Sequence, residues 1–536
     1  MSEKFDARGF RGLQPRLGAR LLDGVYAEVC IDARLWDGRI SNFAYPTAYS
    51  GCRPSLYRDR TVQHCGAWYA SNPNGNPHLR ASQCGAQMPW GTPPPGRPTL
   101  RAPLPTCTGA DTRYIAYMCT AVVYHGGQAL ESAPSEPTDV WAVCAGVRVP
   151  LSVTPQPHPL GVKYRWYRAE AGFHTGDEKE TPDNTAWYFV AETDTPVYED
   201  DTDDVYAMPA PPSLFEHHQP AGDMHDLVCT DSGVWAGLLQ EELWYTLPGD
   251  PMTWGRKRIR YIQPEWGAPR ALIAHGDDLY VLTTDKPIHY RVEMSPTGPV
   301  LQRSVLPKTL PVSSLASVST GYQGVIYAST DGLVQLNRGE ANIVSRRWFN
   351  ADEWAALMPS FMAGVLHADA YIFSGFDRAF LLEIGDGLVE GNPHSELVEL
   401  NLGGLIAGAA TFDADADAVY WRKGALFYRW DRKQHGRCPF LYRTVVQDEN
   451  ASRTYTAGEV HATNITHLEF RYRRDVQGQW QIMRDKVITS NAPFRLQSRR
   501  RQEDIQVELS GAADVDSVTL ATSMSSLRGT PRTPSS

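Results

Sequence analysis

The sequence predicts an all-β protein, an irregular β-propeller-like body that carries an inserted fibronectin type III or immunoglobulin-like β-sandwich. Three observations point there. The 536 residues include 39 Pro and 44 Gly, a density that interrupts long helices every few turns. Apolar residues alternate with period two in many short runs, as strands with one buried face do. Five hairpin-like units recur at nearly constant spacing through the second half of the chain.

Those units are VWAGLLQEELWYTL, DLYVLTTDKPIHYRV, GVIYASTDGLVQLN, DAYIFSGFDRAFLLEI and AVYWRKGALFYRW. Their leading aromatics, Trp235, Tyr280, Tyr327, Tyr371 and Tyr420, are separated by 45, 47, 44 and 49 residues. That is near the period of propeller blades, each a sheet of about four strands. An accidental series of similar hairpins is the alternative, because no strict signature such as a Trp-Asp dipeptide recurs.

In chain order, residues 1–95 are expected to form the N-terminal part of the propeller-like body. Residues 86–106 carry seven prolines and predict an extended connector at a domain boundary. Residues 96–205 predict the sandwich. Ile115, Tyr117, Cys119, Ala121 and Val123 alternate up to a Gly126-Gly127 turn, and Val147, Val149, Leu151 and Val153 alternate again. Aromatic strands around Trp166 and Trp187–Val190 then lead into Val197-Tyr198. Residues 206–440 form the propeller-like body, interrupted by one helix, Asn350–Met358, with Asn350 as cap and Glu353 in capping-box position. Residues 441–524 return to strands such as Leu468–Tyr472 and Ile505–Leu509, each with one wet face, and close the body. Residues 525–536 predict a disordered tail.

A hydrophobic fraction of 42% with 25 Tyr and 15 Trp supplies real cores, and the length suits two to four domains or one repeat array. No run approaches the ~18 apolar residues of a membrane span, and the N-terminal MSEKFDARGFRG lacks an apolar signal core, so a soluble chain made without export is expected. Nine cysteines form no C-x-x-C pair. They read as mostly reduced, buried thiols, with Cys52, Cys65 and Cys84 close enough for one bridge. The net charge of −10 argues against a protein that grips nucleic acid, while leaving room for a surface that DNA slides past.

No cofactor or metal is expected. Asp413, Asp415 and Asp417 imitate the start of an EF-hand loop, but Ala418 stands where Gly is needed and Gly424 where Glu is needed. His217, His218, His225 and Asp226 lack metal-ligand spacing. The acidic run Glu199, Asp200, Asp201, Asp203 and Asp204 reads as a solvated loop. No nucleophile elbow, phosphate-binding loop or Cys-His pair occurs in a supporting context, so no catalytic residue is assigned. Two compact basic clusters remain, Arg256, Lys257, Arg258 and Arg260, and Arg499, Arg500 and Arg501. Arginine is favoured at protein interfaces for its bidentate bonds to carboxylates, and subunit contacts are the expected use.

An ordered set of short runs completes the reading. It comprises Gly9-Phe10-Arg11-Gly12-Leu13-Gln14-Pro15-Arg16, Leu21-Leu22, Ala27, Leu35 to Ile40, Glu131-Ser132-Ala133-Pro134-Ser135, and Tyr188 to Glu192 with Tyr198 and Asp200. Val325 to Leu333 and Val507 to Gly511 follow. In this order the chain resembles the tail nozzle (tail tubular protein B-like) proteins of short-tailed bacteriophages. It departs from their pattern at Asp32, where an Asn is expected, and in the cysteine content of the insert. The resemblance implies a non-enzymatic virion protein of the phage tail, assembled in the host cytoplasm as a homo-oligomeric ring, expected to be a hexamer. The ring would meet an adaptor or tail tube and fibres, and would line the DNA exit channel during ejection without specific DNA binding. Tight phosphate contacts would slow ejection, so an acidic or neutral lumen is expected, with both basic clusters turned to other subunits or outward. The alternative is a propeller-type protein that binds host glycans, or a propeller glycosidase.

Overall fold

The computed structural model describes residues 4–7, 10–13, 25–36, 39–43, 47–49, 61–64, 66–72, 75–82, 85–107, 112–171, 186–202, 210–212, 217–367, 370–384, 397–401, 409–413, 418–423, 426–431, 438–476, 479–496 and 502–528. The fold is all-β and propeller-like. Among the described residues the only α-helices are Ala351–Ala356 and Met524–Arg528. Two compact units form, one from Arg58–Pro307 and the other from Met1–Tyr57 with Lys308–Ser536.

The Arg58–Pro307 unit contains three four-stranded antiparallel meanders. The first joins Thr61–His64, Ala67–Asn72, Gly75–Arg80 and Gln87–Pro89. The second joins His225–Cys229, Trp235–Leu239, Glu242–Tyr245 and Ile259–Tyr261. The third runs from Pro269–His275 through Asp278–Thr283 and Ile288–Ser295 to Gly298–Val305. Tyr69 and Trp235, each in the second strand of its blade, pack with ring centroids 4.7 Å apart, and Trp90 covers both. Trp90 follows directly on a blade strand, so the proline-rich run starts inside the first blade and not beyond it. Its indole donates to the Pro251 carbonyl at 3.0 Å.

Between the first two blades lies a sandwich of two sheets. One holds Thr99–Leu100, Val149–Ser152 and Val197–Asp200, and the other holds Gln128–Glu131, Thr112–His125, Lys163–Ala171 and Trp187–Thr193, with Trp141–Cys144 on the far end of Thr112–His125. Ile115, Tyr117, Cys119, Val149, Leu151 and Trp166 fill the space between them. The segment after Glu131 cannot continue as a strand, because Pro134 and Pro137 lack N–H donors. Side chains share the pairing with the backbone, whose Ser132, Ser135 and Thr138 N–H groups donate to the Ala121, Cys119 and Tyr117 carbonyls at 2.8–2.9 Å. Ser132, Ser135 and Thr138 hydroxyls accept the backbone N–H groups of Ala121, Cys119 and Tyr117 at 2.9–3.0 Å. The Glu-Ser-Ala-Pro-Ser run is thus a covered sheet edge.

In the other unit, Ser319–Gly321, Gly324–Ser329, Gly332–Asn337 and Glu340–Ile343 form one meander. Ala363–His367, Ala370–Ser374, Ala379–Glu383 and Leu397–Leu400 form a second. Ala409–Asp413, Ala418–Lys423 and Leu426–Asp431 form a third, completed from the N-terminal segment by Thr47–Tyr49. A large sheet is built on the 20-residue strands Ala457–Val476 and Gln502–Ala521, which pair with each other. Lys4–Ala7, Val25–Ile31, Arg39–Asn42 and Phe440–Thr444 join it. Residues 1–95 therefore divide between this sheet and two blades. The helix has the expected capping box: Asn350 accepts from the Glu353 N–H at 2.9 Å, and Glu353 accepts from the Asn350 N–H at 3.1 Å.

Three expectations are corrected. Cys107 and Cys144 form a disulfide, with Cα atoms 5.4 Å apart, because Cys144 ends the strand whose antiparallel partner begins at Thr112. Cys30, Cys119 and Cys438 are buried free thiols, Cys229 is partly exposed, and Cys52, Cys65 and Cys84 lie outside the described residues. Asp200 is buried rather than solvated, because its register opposite Val149 turns it into the sandwich. A helix, Met524–Arg528, also stands where the disordered tail was expected to begin. Leu527 is buried against Ala457 and Ala521 in the Met524–Arg528 helix, and residues 529–536 lie outside the described residues.

Candidate functional site

In the Arg58–Pro307 unit one face of the five-stranded sheet carries charge instead of apolar side chains. Arg165 sits in register between Thr120 on one neighbouring strand and Glu192 on the other. This alternation places long polar residues on one face while Tyr164 and Trp166 point to the core. Arg165 Nη1 reaches Glu131 at 2.5 Å, its Nε reaches Glu192 at 2.9 Å, and Nη2 donates to the Tyr124 hydroxyl at 3.0 Å. Glu131 also accepts from Tyr167 at 2.7 Å and Thr120 at 2.6 Å. Tyr124 donates to Glu192 at 2.8 Å.

This face forms one wall of a cavity of about 700 Å³, the size of a small-molecule site. Tyr167 and Phe189, edge to face at 5.9 Å, form an aromatic part of the lining. His217, Leu247, Gly249, Asp250 and Thr253 contribute the opposite side. Gln128 ties the walls together by donating to the Gly249 carbonyl at 2.7 Å. His217 is buried, with Nδ1 3.7 Å from Asp250.

The electrostatics favour fixed charge over proton transfer. Burial alone would raise the Glu192 pKa, but hydrogen bonds from Arg165 and Tyr124 outweigh it and hold the carboxyl below its ordinary range. Burial and the neighbouring Glu131 push the Tyr167 phenol up. A glycosidase acid needs a raised carboxyl pKa. Glu192 is shifted the other way, and Glu131 spends its contacts accepting from three donors. The arrangement suits a rigid polar surface that offers carboxylate acceptors beside aromatic rings.

The second unit holds a cleft of about 650 Å³ lined by Leu13, Trp348, Phe349, Phe380 and Leu397 among others. Glu28, Glu353, Asp377 and Glu399 bring carboxylates to it. Among the described lining residues Arg378 is the one cation, in a two-point ion pair with Glu399 at 2.9 and 2.7 Å and stacked 4.8 Å over Phe380.

The residues singled out from sequence do not converge. Arg256 and Lys257 are exposed and Arg258 and Arg260 half-buried, at the entry to the outer strand of the second blade, where Arg260 lies 5.5 Å over the Tyr245 ring. Arg499, Arg500 and Arg501 lie outside the described residues, as do Asp415 and Asp417. His225 contacts its own neighbour Asp226 at 3.2 Å. Among the described residues no group of three or more potential metal ligands forms, and no helix is long and apolar enough to cross a membrane. Arg165 was missed as a site residue because the signal is spatial. Glu131 opens one run of the ordered set and Glu192 ends another, 61 positions apart, and only the sheet register joins them.

No family model matches the sequence, and no curated protein matches it. Among solved structures, the chain is similar to PorZ, a surface component of the type-IX secretion system of Porphyromonas gingivalis. That alignment has 12% identity and a TM-score of 0.23, and it covers 57% of this chain and 42% of PorZ, less than half of that protein's length. The extracellular domain of a hybrid two component system protein of B. thetaiotaomicron aligns over 92% of this chain and 76% of its own, at 8% identity and a TM-score of 0.20. A glycoside hydrolase aligns over 77% of this chain and 97% of its own, at 11% identity and a TM-score of 0.15.

Proposed function

We propose that the chain is a non-enzymatic structural subunit of a homo-oligomeric ring, of the bacteriophage tail-nozzle type, through which DNA passes without specific contacts. The observation that carries the oligomeric part is an open sheet edge. Among the described residues, strand Gln479–Val487 pairs on one side with Ala457–Val476 and ends its sheet. All nine of its residues are exposed or half-buried, with Ile482 and Val487 56% and 52% exposed. Proteins that stay monomeric shorten, cover or bend such edges, because unpaired N–H and C=O groups recruit another chain. An edge of this length with apolar side chains suits a surface that a neighbouring subunit covers. The tail-nozzle part is supported by the ordered runs, whose members hold fixed points of the fold: the covered edge at Ser132 and Ser135, and buried Asp200.

The test is the mass and image of the purified protein. Mass photometry and negative-stain images are expected to give closed rings, sixfold by the resemblance. A monomer that persists up to about 10 µM would sink the reading, since an obligate ring assembles by mass action in that range.

A second reading, host-glycan binding, is favoured by the carboxylate-and-aromatic cavity around Arg165. Saturation-transfer NMR with a panel of neutral oligosaccharides would show contacts that Tyr167→Ala abolishes. Their absence across the panel removes this reading.

A further inference from the structure

Three large apolar side chains stand in solvent around one turn: Met358, Phe361 and Phe376 are 42%, 66% and 62% exposed. The two phenyl rings pack edge to face at 6.5 Å. The turn is held in place, since the Phe361 N–H donates to the Met358 carbonyl at 2.9 Å and the Phe376 N–H to the Leu357 carbonyl at 3.2 Å. Met358 has φ 53 and ψ 73, a left-handed conformation that residues with a side chain rarely adopt and that gathers at binding surfaces. An apolar cluster of this kind, rimmed by charge, marks an interaction site. Its rim is the acidic cleft: Leu357 and Asp377, the neighbours of Met358 and Phe376, both line it. Among the described residues of the cleft, four carboxylates stand beside one guanidinium, which Glu399 already holds.

We infer that this face receives the segment Arg256–Tyr261 of a neighbouring copy. The argument is charge and shape together. Arg256, Lys257, Arg258 and Arg260 put four cations into five positions, and Tyr261, which follows, is 52% exposed. Strand Ile259–Tyr261 is the outer strand of its sheet, so it presents side chains and a backbone edge at once. Arginines meet carboxylates by bidentate bonds and stack on aromatic rings, and the cleft offers both. Two different surfaces joined in this way make a head-to-tail contact, which closes into a ring when the rotation allows. The inference rests on the ring reading and gives that ring its adhesive surface.

Charge reversal on the full chain tests it. Arg256→Glu and Asp377→Lys, each alone, are expected to weaken assembly at least about tenfold by mass photometry, and the two combined to restore it to within about threefold. Phe361→Ser, at an exposed position, is expected to weaken assembly without moving the unfolding midpoint. Circular dichroism melts confirm that each variant folds. Rings that survive all single reversals, or a combined loss with no rescue, overturn this contact and leave the ring reading intact. A wild-type chain that is monomeric overturns the ring reading and this contact with it.

Discussion

Arg168 and Asp200 form a buried ion pair that locks the end of the sandwich, Nη1 to Oδ2 2.8 Å, with side chains 5% and 1% exposed. Tyr117 donates to the same oxygen at 2.6 Å, and the Thr202 N–H donates to the other at 3.0 Å. Arg168 also reaches Glu170 at 2.8 Å and the Thr202 carbonyl at 2.7 Å. One carboxylate thus ties together strands Thr112–His125, Lys163–Ala171 and Val197–Asp200 of the two sheets.

Asp200→Asn is expected to destabilise the sandwich by about 3–5 kcal/mol, because it breaks a buried ion pair and leaves the Arg168 guanidinium with Glu170 as its remaining carboxylate. The effect depends on pH. Burial alone would raise the Asp200 pKa, but the Tyr117 hydrogen bond and the Arg168 charge outweigh it and hold the carboxyl below its ordinary value. A depressed carboxyl contributes stability that is whole above its unfolded-state pKa and is lost as pH falls through the folded-state value. Urea midpoints of wild type and variant should therefore differ fully at pH 7 and converge below about pH 4. A gap that stays constant down to about pH 2 would contradict the assignment.

The Cys107–Cys144 bond spans 37 positions, and closing a loop of that size in the unfolded chain is worth up to about 4 kcal/mol. Dithiothreitol is expected to lower the unfolding midpoint of the sandwich, and Cys107→Ser to reproduce the shift and abolish the response to reductant. A variant that still responds would place the sensitive bond elsewhere.

Gly511 breaks the regularity of strand Gln502–Ala521 at φ 135, opposite Leu468 and beside the register shift between Thr463 and His467. A Cβ there would collide with the His467 carbonyl oxygen. Gly511→Ala is expected to cost more than about 2 kcal/mol in urea denaturation. Ser510→Ala, one residue away, is expected to stay within about 0.5 kcal/mol. Equal losses at both positions would refute a backbone origin.

The blades were legible because a buried aromatic marks each one. Trp235, Tyr280, Tyr327, Tyr371 and Tyr420 are all buried and all lie in the second strand of successive blades, so the repeat distance counted from them is the blade period. Tyr69 plays the same part in the first blade, but the inserted sandwich puts 166 positions between it and Trp235 and hides the repeat. The pairing of Thr47–Tyr49 with Leu426–Asp431 was hidden for the same reason. A three-residue strand has no periodicity to read, and its partner is nearly the whole chain away. Asp200 was misread because an acid flanked by acids looks solvated, and only the facing Arg168 reveals that it is buried. The site around Arg165 escaped notice in the same way, since strand alternation shows that a face is polar but not which charges meet across it.

That network gives the last prediction. Arg165 stands between Glu131 and Glu192, and its removal leaves two largely buried carboxylates sharing one wall. Arg165→Met is expected to cost about 2–4 kcal/mol at pH 7, somewhat less than the loss of one member of a fully buried pair because the side chains are partly exposed. Glu192 owes its depressed pKa in part to Arg165, so the cost should shrink as the pH falls and Glu192 protonates. Arg165→Met combined with Glu192→Gln should then be more stable than Arg165→Met alone, because the second change removes a charge that the first left without a partner. Three urea titrations at pH 7 decide it. If the double variant instead loses the sum of the two single effects, the residues act independently and the cavity wall is not held by this ion network.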